Sequence, residues 1–482
     1  MTDRSTAAAP DTLGTPGAPA ADEPGPVGAV VRRGPAVTAP VPEGDPATAD
    51  RADAGRTADD SAAGGGAVPL LVPADGESPA TIHADLRRRH GRVAPVVAED
   101  GGTAWLVLGY AEVGYVTAHE ELFVRDTSRP GPWPEAAEGT GPAPVAPGRG
   151  PGRPGPSAAR ALAAVDQFEL AEGCRGVARR LVDGFAGSGR AELMSAYVRA
   201  VSLRAAVLMC GLPPDAGAFE GLVGDLQTAL AEDGPAGCGP AGTDAVRDGT
   251  HVDRSARGGG DELRRSAYVR AGERLRRLVA ARRSEPRPDV ISRLLADPAA
   301  PDDGAVVREV LGLVAAAHRP TADWIGNALR LLLTDERFAR DVSGGRLSVG
   351  QALNEVLWLD TPAQTVGGRR AVRDTQLGGH RVRAGDRVLL SLAAANTDPQ
   401  IWPGGRPGGE NAAHLSFGGG GRRCPYPAPL LAESIARTAV ETLLERLPDT
   451  VLAVDPERLA WRPSVRERGL VALPVRFTPV VR

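Results

Sequence analysis

Apolar residues recur at helical spacing through most of this chain. From Ala158 to about Leu230, and again from about Asp261, they fall three and four positions apart, as in helices that bury one face. A glycine-rich interval, 234–260, separates the two stretches. Another helix is predicted from about Val306 to Leu333, with Val310, Val314, Ile325, Leu329 and Leu332 at its apolar positions, and Leu86–His90 reads as a helix end. Strand signals are few. Thr103-Ala-Trp-Leu-Val-Leu followed by Gly109-Tyr110 reads as a strand and turn, and Gln376–Val382 with Val388–Leu392 reads as a strand pair about the turn Ala384-Gly385-Asp386. The expected fold class is mainly α with a small β region.

The ends of this pattern set the domain organisation. Residues 1–66 hold no aromatic residue, no isoleucine and a single leucine, Leu13, so they bury too little apolar surface to offset the entropy of ordering. A disordered Ala/Pro/Gly-rich arm over 1–66 and one domain over 67–482 are expected. Residues 129–157, rich in proline and glycine, read as a long surface loop.

Composition narrows the function classes. Lysine and arginine number 56 against 60 acids, a net charge of −4, which leaves no general basic footprint for nucleic acid. The four cysteines, at 174, 210, 238 and 424, are far apart and form no Cys-x-x-Cys pair, against both a disulfide framework and a structural zinc site. The longest apolar stretch, around Val310–Ala317, is well short of the roughly 18–20 residues that cross a bilayer. With no signal-peptide core at the N-terminus, a soluble protein of the reducing cytoplasm is expected, without a membrane span. The richness in Ala, Gly, Pro and Arg is that of a high-GC bacterial genome.

Chemistry concentrates at Phe417-Gly-Gly-Gly-Gly-Arg-Arg-Cys424-Pro425. Glycines such as Gly418 and Gly420 let backbone lie against a broad, flat group, Cys424 offers a soft ligand, and Arg422 is placed to meet a carboxylate. A cysteine thiolate is one of the axial ligands that haem iron accepts, and it pushes electron density toward a bound O–O bond. The loop therefore reads as a haem-binding site with Cys424 on the metal.

The spelling Phe-Gly-x-Gly-x-Arg-x-Cys resembles the haem loop of the cytochrome P-450 superfamily, and it stands where that family keeps it, before a last long helix. Asp374 to Pro399, reading Asp-Thr-Gln-Leu-Gly-Gly-His-Arg-Val-Arg-Ala-Gly-Asp and onward to Ala-Asn-Thr-Asp-Pro, resembles the family independently. The resemblance spans about 69–480 and is weakest over 129–160. It implies the triangular, mainly helical P-450 fold, haem b (iron protoporphyrin IX) as cofactor, and electrons delivered by a ferredoxin and ferredoxin reductase. In Arg369-x-Ala371-x-x-Asp374 it implies that Arg369, or Arg370 in its place, meets a haem propionate. The family's other propionate motif, His-x-x-x-Arg, is rewritten here; Arg160 is the nearby candidate, with a solvated helix arginine as the alternative.

Three places depart from the family. Aligned on Trp324-Ile-Gly-Asn, the distal helix carries Arg319 and Pro320 where the family has an acid and an alcohol that relay protons. Arginine stays protonated and proline has no proton to give, which leaves Thr321, one step around the helix, as the hydroxyl. Such an Arg-Pro pair is similar to the peroxide-using, fatty-acid-hydroxylating branch, where the arginine binds a substrate carboxylate; the alternative is a pair with an internal acid. Second, Glu355-Val-Leu-Trp358 replaces the family's Glu-x-x-Arg, so Glu355 must be exposed, protonated or matched by another base such as Arg406. Third, Tyr426 stands where the family has glycine after the cysteine, ahead of a helix expected from about Pro429.

The leading expectation is a monooxygenase that inserts one oxygen atom of O2 into a small organic molecule with electrons from NAD(P)H. Two alternatives stand beside it. One is a peroxygenase fed by hydrogen peroxide through Arg319-Pro320, the other a haem-binding sensor or complex subunit with little turnover.

Overall fold

Helices make up most of the described chain, and several open on a side-chain cap. The computed structural model describes residues 68–69, 78–98, 101–125, 156–213, 217–231, 254–298, 302–402 and 410–480. The expected arm over 1–66, nearly all of the loop over 129–157 and most of the glycine-rich interval lie outside these residues. The described residues all fall within one compact unit.

In chain order the elements are β1 (Val68–Pro69), α1 (Pro79–His90), β2 (Val93–Val97), β3 (Thr103–Val107), α2 (Tyr110–Ala118) and β4 (Phe123–Arg125). Then come α3 (Pro156–Leu162), α4 (Gln167–Phe185), β5 (Arg190–Glu192), α5 (Arg199–Met209), α6 (Phe219–Ala229), α7 (Arg254–Ser284), α8 (Val290–Leu295) and α9 (Asp303–Thr334). The last part holds α10 (Glu336–Ser343), α11 (Val349–Leu359), β6 (Thr365–Ala371), β7 (Thr375–Leu377), β8 (His380–Val382), β9 (Arg387–Ser391), α12 (Leu392–Asn396), α13 (Ala428–Arg446), β10 (Val451–Leu452) and β11 (Pro474–Arg476).

Caps fix the helix starts. The Asp302 side chain accepts from the N–H of Ala305 to open α9, and Ser348 with Gln351 forms a reciprocal capping box on α11. The long α9 is buried along Val306–Ala315 and again along Thr321–Leu329, and it packs against α5, α7, α11 and α13 in the main helical core.

Six strands run in the order β1-β2-β3-β9-β6-β4. Successive side chains point to opposite faces, so Trp105, Val107, Val388 and Leu390 join one apolar cluster while Ala104, Leu106 and Leu389 join another. Strand β9 pairs in parallel with β3 and antiparallel with β6. The expected pairing of Gln376–Val382 with Val388–Leu392 is thus corrected. Gly378 and Gly379 take φ of 58° and 87°, which turns the chain inside the first stretch and pairs β7 with β8. That leaves β9 to complete the larger sheet. A three-stranded sheet, β10-β11-β5, ties the last described strand back to the segment between α4 and α5.

Candidate functional site

A cavity of about 530 Å3 lies between α9 and the glycine loop that ends at Cys424. Within the loop, the N–H of Cys424 donates to the carbonyl of Phe417 at 2.7 Å and that of Gly418 to Leu415 at 2.7 Å. Gly420 takes φ of 65°, and a Cβ there would run into the carbonyl of Thr117 on α2. Glycine is therefore required at 420 by both conformation and space. Phe417, Gly418, Gly419 and Cys424 line the cavity, whereas Gly420 holds the loop against α2. Helix α13 starts four residues after the cysteine, and its Ala428, Leu431, Ala432 and Ile435 also line the cavity.

From α9, the small side chains of Ala316 and Ala317 line the cavity with Pro320, Thr321 and Trp324. The helix runs through Pro320 unbroken, and Thr321 is buried. Arg369 on β6 lines the cavity as well. Arg370 turns elsewhere, with Nη1 donating to the carbonyl of Gly385 at 2.8 Å.

Arg319 is paired from inside the protein. Its Nη1 lies 3.2 Å from Oε2 of Glu467, and Arg462 Nη1 approaches the same oxygen at 4.0 Å. Arg462 Nη2 also holds the buried carboxylate of Asp323, one turn along α9 from Arg319. Glu467 and Asp323 both line the cavity. The segment that carries Glu467 is well anchored. The N–H of Gln364 donates to the carbonyl of Arg466 and that of Arg468 to Pro362, while Arg468 pairs with Asp360 and stacks 3.4 Å from the Trp461 ring centre. Beside this cluster, His318 Nδ1 is out of reach of solvent with no hydrogen-bond partner among the described residues. Burial, then Arg319, Arg199 and Arg462, push its pKa down to about 3, so the ring is neutral.

One sequence expectation needs correction and another is made specific. Arg160 does not line the cavity: it is exposed, its charge is met by Asp297 at 2.5 Å, and α3 ends two residues later. For Glu355, of the three expected options, the pair with another base holds, and that base is Arg337; Arg406 lies outside the described residues. Glu355 is 4 % exposed and is reached at 3.1 Å by Arg337 of α10, a partner 18 positions away that a search within one helix turn misses. Trp358 stands at the sequence position of the family's arginine. Buried, it donates from Nε1 to the carbonyl of Asn411 at 2.6 Å and packs edge-on against Trp402 and His414, with ring centres at 4.9 and 5.8 Å. The backbone of Arg422 sits in the turn after Gly420, and its side chain lies outside the described residues.

No family model matches the chain. Over 212 residues it is 34 % identical to the cytochrome P-450 monooxygenase PikC of Streptomyces venezuelae, covering 42 % of this chain and 50 % of that protein. Over 222 residues it is 31 % identical to the mycinamicin IV hydroxylase/epoxidase of Micromonospora griseorubida, covering 44 % and 54 %. The chain thus spans about half the length of the curated relatives it matches. Among solved structures it resembles cytochrome P-450 MoxA of Nonomuraea recticatena, with 23 % identity, a TM-score of 0.66, and coverage of 86 % of this chain and 99 % of that one. A myxobacterial cytochrome P-450 in complex with myristic acid matches at 25 % identity and a TM-score of 0.63, covering 85 % and 98 %.

The mainly helical body, its small sheets and the cysteine loop against a long crossing helix define a P-450 fold. Over about half of their length, the curated relatives that this chain resembles are bacterial proteins of the cytochrome P-450 superfamily.

Haem b is the cofactor of that superfamily, and the residues present fit it. Cys424 lines a cavity whose volume is in the range of about 300–1,000 Å3 usual for cofactor sites, with largely apolar walls and two arginines, Arg369 and Arg466, of which Arg369 is suited to an acidic edge. The other two described cysteines are no rivals as ligands. Burial pushes the thiols of Cys174 and Cys210 up to about 12, which keeps them protonated. Among the described residues no group of His, Cys, Asp and Glu is arranged to hold a separate metal ion, and no helix is long and apolar enough to cross a membrane.

Proposed function

We propose that this chain is a haem-thiolate monooxygenase that inserts one oxygen atom of O2 into a small, largely apolar organic molecule. Electrons come from NAD(P)H through a ferredoxin and its reductase. The reading is carried by one observation: Cys424 and, from α9, Ala316, Ala317, Pro320 and Thr321 line the same cavity. Haem held by Cys424 supplies oxygen activation when bound.

The chain's own residues do the rest. Phe417, Leu357 and Ile435 give apolar walls that exclude water, Arg369 is suited to a propionate, and Gly420 fixes the loop that presents the sulfur. Thr321 offers a hydroxyl at the cavity surface. Because relatives include a mycinamicin IV hydroxylase/epoxidase and a polyketide biosynthesis P-450, we assign the substrate to the macrolide-like class. The peroxygenase alternative asks Arg319 to receive a substrate carboxylate. Glu467 already meets that guanidinium, which favours the oxygen-dependent reading.

The test is reconstitution with haem, reduction and exposure to carbon monoxide, followed by turnover with a surrogate ferredoxin, reductase and NADPH on a macrolide panel. A thiolate-type carbonyl spectrum that Cys424→Ala abolishes, together with oxygenated product, is expected. Failure of Cys424→Ala to change the spectrum, or product formed with hydrogen peroxide alone and not with the reductase chain, overturns the reading.

A further inference from the structure

We propose that Glu467 is the acid of this site, delivering protons to the cavity in place of the acid that α9 lacks at position 319, with Arg319 as its positioning residue. The proposal rests on the monooxygenase reading above and assigns a role to a residue far outside the distal helix.

The charge arrangement is inverted relative to the family's pattern. Arg319 stands where an acid is expected, and the acid comes instead from the strap 461–470, with Oε2 of Glu467 3.2 Å from Arg319 and 4.0 Å from Arg462. The strap's backbone is pinned to the segment that leaves α11: Arg468 donates to Pro362, Gln364 donates to Arg466, and Ala363 bridges Glu467 itself. The N–H of Glu467 is also held, at 3.1 Å, by Ser464 Oγ. A carboxylate so fixed in a cavity wall is built in, not a side chain that happens to reach an arginine.

Two acids and two arginines make up the cluster, and their roles differ. Asp323 is 5 % exposed and clamped by Arg462, with Gly469 against it, so it serves to aim that arginine. Glu467 is 19 % exposed, and its second arginine stands 4.0 Å off. It is the acid with room to exchange a proton. The neutral His318 adds no charge to the cluster.

The proton balance is simple. Inserting one atom of O2 leaves the other as water, which takes two electrons and two protons; the electrons come from the NAD(P)H-driven donor. The Glu467 carboxylate, paired with Arg319, takes a proton from a solvent water and releases it into the cavity, returning to the carboxylate that Arg319 and Arg462 stabilise. This is general acid catalysis by a group held in hydrogen-bond reach of the cavity.

The decisive experiment uses haem-loaded enzyme and follows, by stopped-flow absorbance in H2O and D2O, the decay of the reduced protein after mixing with oxygen. NADPH use, hydrogen peroxide and product are measured alongside. Glu467→Gln is expected to slow the decay on the order of 100-fold and to divert electrons to hydrogen peroxide, with the carbonyl spectrum unchanged. Glu467→Asp is expected to recover part of the rate.

Decay and coupling like the wild type in Glu467→Gln, with the carbonyl spectrum intact, overturn this proposal alone. So does a slowed decay that Glu467→Asp leaves untouched, since that outcome assigns a structural role. A wild-type protein that lacks the thiolate-type spectrum overturns the functional reading and this proposal with it. If Glu467→Gln does not accumulate, the double variant Arg319→Gln/Glu467→Gln removes both charges together and is judged by the same readout.

Discussion

Placing the family's arginine into this chain, Trp358→Arg, is expected to destabilise it. Trp358 is buried among Tyr110, Trp402 and His414, with its Nε1 bonded to the Asn411 carbonyl. Truncating a packed tryptophan costs about 3–5 kcal/mol. The arginine stem returns part of this, about 0.8 kcal/mol per buried methylene. The guanidinium, however, enters beside a carboxylate that Arg337 already reaches, and desolvating an ion costs several kcal/mol. The net loss is on the order of 3 kcal/mol or more. Urea unfolding followed by far-ultraviolet circular dichroism measures it as a lower midpoint at unchanged slope. Trp358→Phe, which keeps most of the apolar volume and loses the Nε1 bond, is expected to lose only about 1–2 kcal/mol. A Trp358→Arg protein as stable as the wild type would show that Glu355 lacks a sufficient partner and that the reasoning is wrong.

Further outcomes follow from other parts of the structure. A Cβ at Gly469 would collide with the Asp323 carboxylate and come within 2.5 Å of Arg462 Nη2, so Gly469→Ala is expected to cost about 1–3 kcal/mol in thermal unfolding; an unchanged midpoint refutes this. Burial, then Arg87, push His83 from its usual 6.5 down to about 4. Since the unfolded chain binds that proton first, stability is complete above pH 6.5 and falls with acidification toward pH 4, by roughly 1.4 kcal/mol per pH unit for this group. Unfolding measured against pH is expected to show a shallower slope in His83→Gln, and an identical slope counts against the assignment. In a Cys238→Ser background without haem, a maleimide is expected to modify Cys424 fast and Cys174 and Cys210 slowly, with haem protecting Cys424. Peptide mass spectrometry decides the order.

The parts of this molecule that could be read from sequence are those whose determinants lie close together. The loop from Phe417 to Cys424 is such a case, because its glycines, its ligand and the start of α13 fall within twelve residues. The distal helix was legible from apolar spacing, and its predicted limits, 306–333, fall inside Asp303–Thr334. The pairing of strands was less so. Two glycines at 378 and 379 outweighed the Ala384-Gly385-Asp386 turn as the hairpin signal, and only the neighbouring strands decide where β9 belongs. Charge partners were hardest. Arg337 sits on a different helix from Glu355, and Glu467 lies 148 positions from Arg319, so nothing in local pattern joins them. Arg160 misled for the opposite reason, its place in the chain suggesting a role that Asp297 takes away.

The strap over 461–470 has a bearing on how the chain acquires its shape. It meets α9 and the turn after α11 through partners 108, 139 and 148 positions apart, and contacts of such span close slowly because chain entropy must be given up first. The helical bulk can therefore form while this side stays ajar, giving a broad, rigid guest time to enter before the last ion pairs latch behind it. In refolding, amides of 461–470 should gain protection from exchange after those of α9, and later still when the guest is withheld.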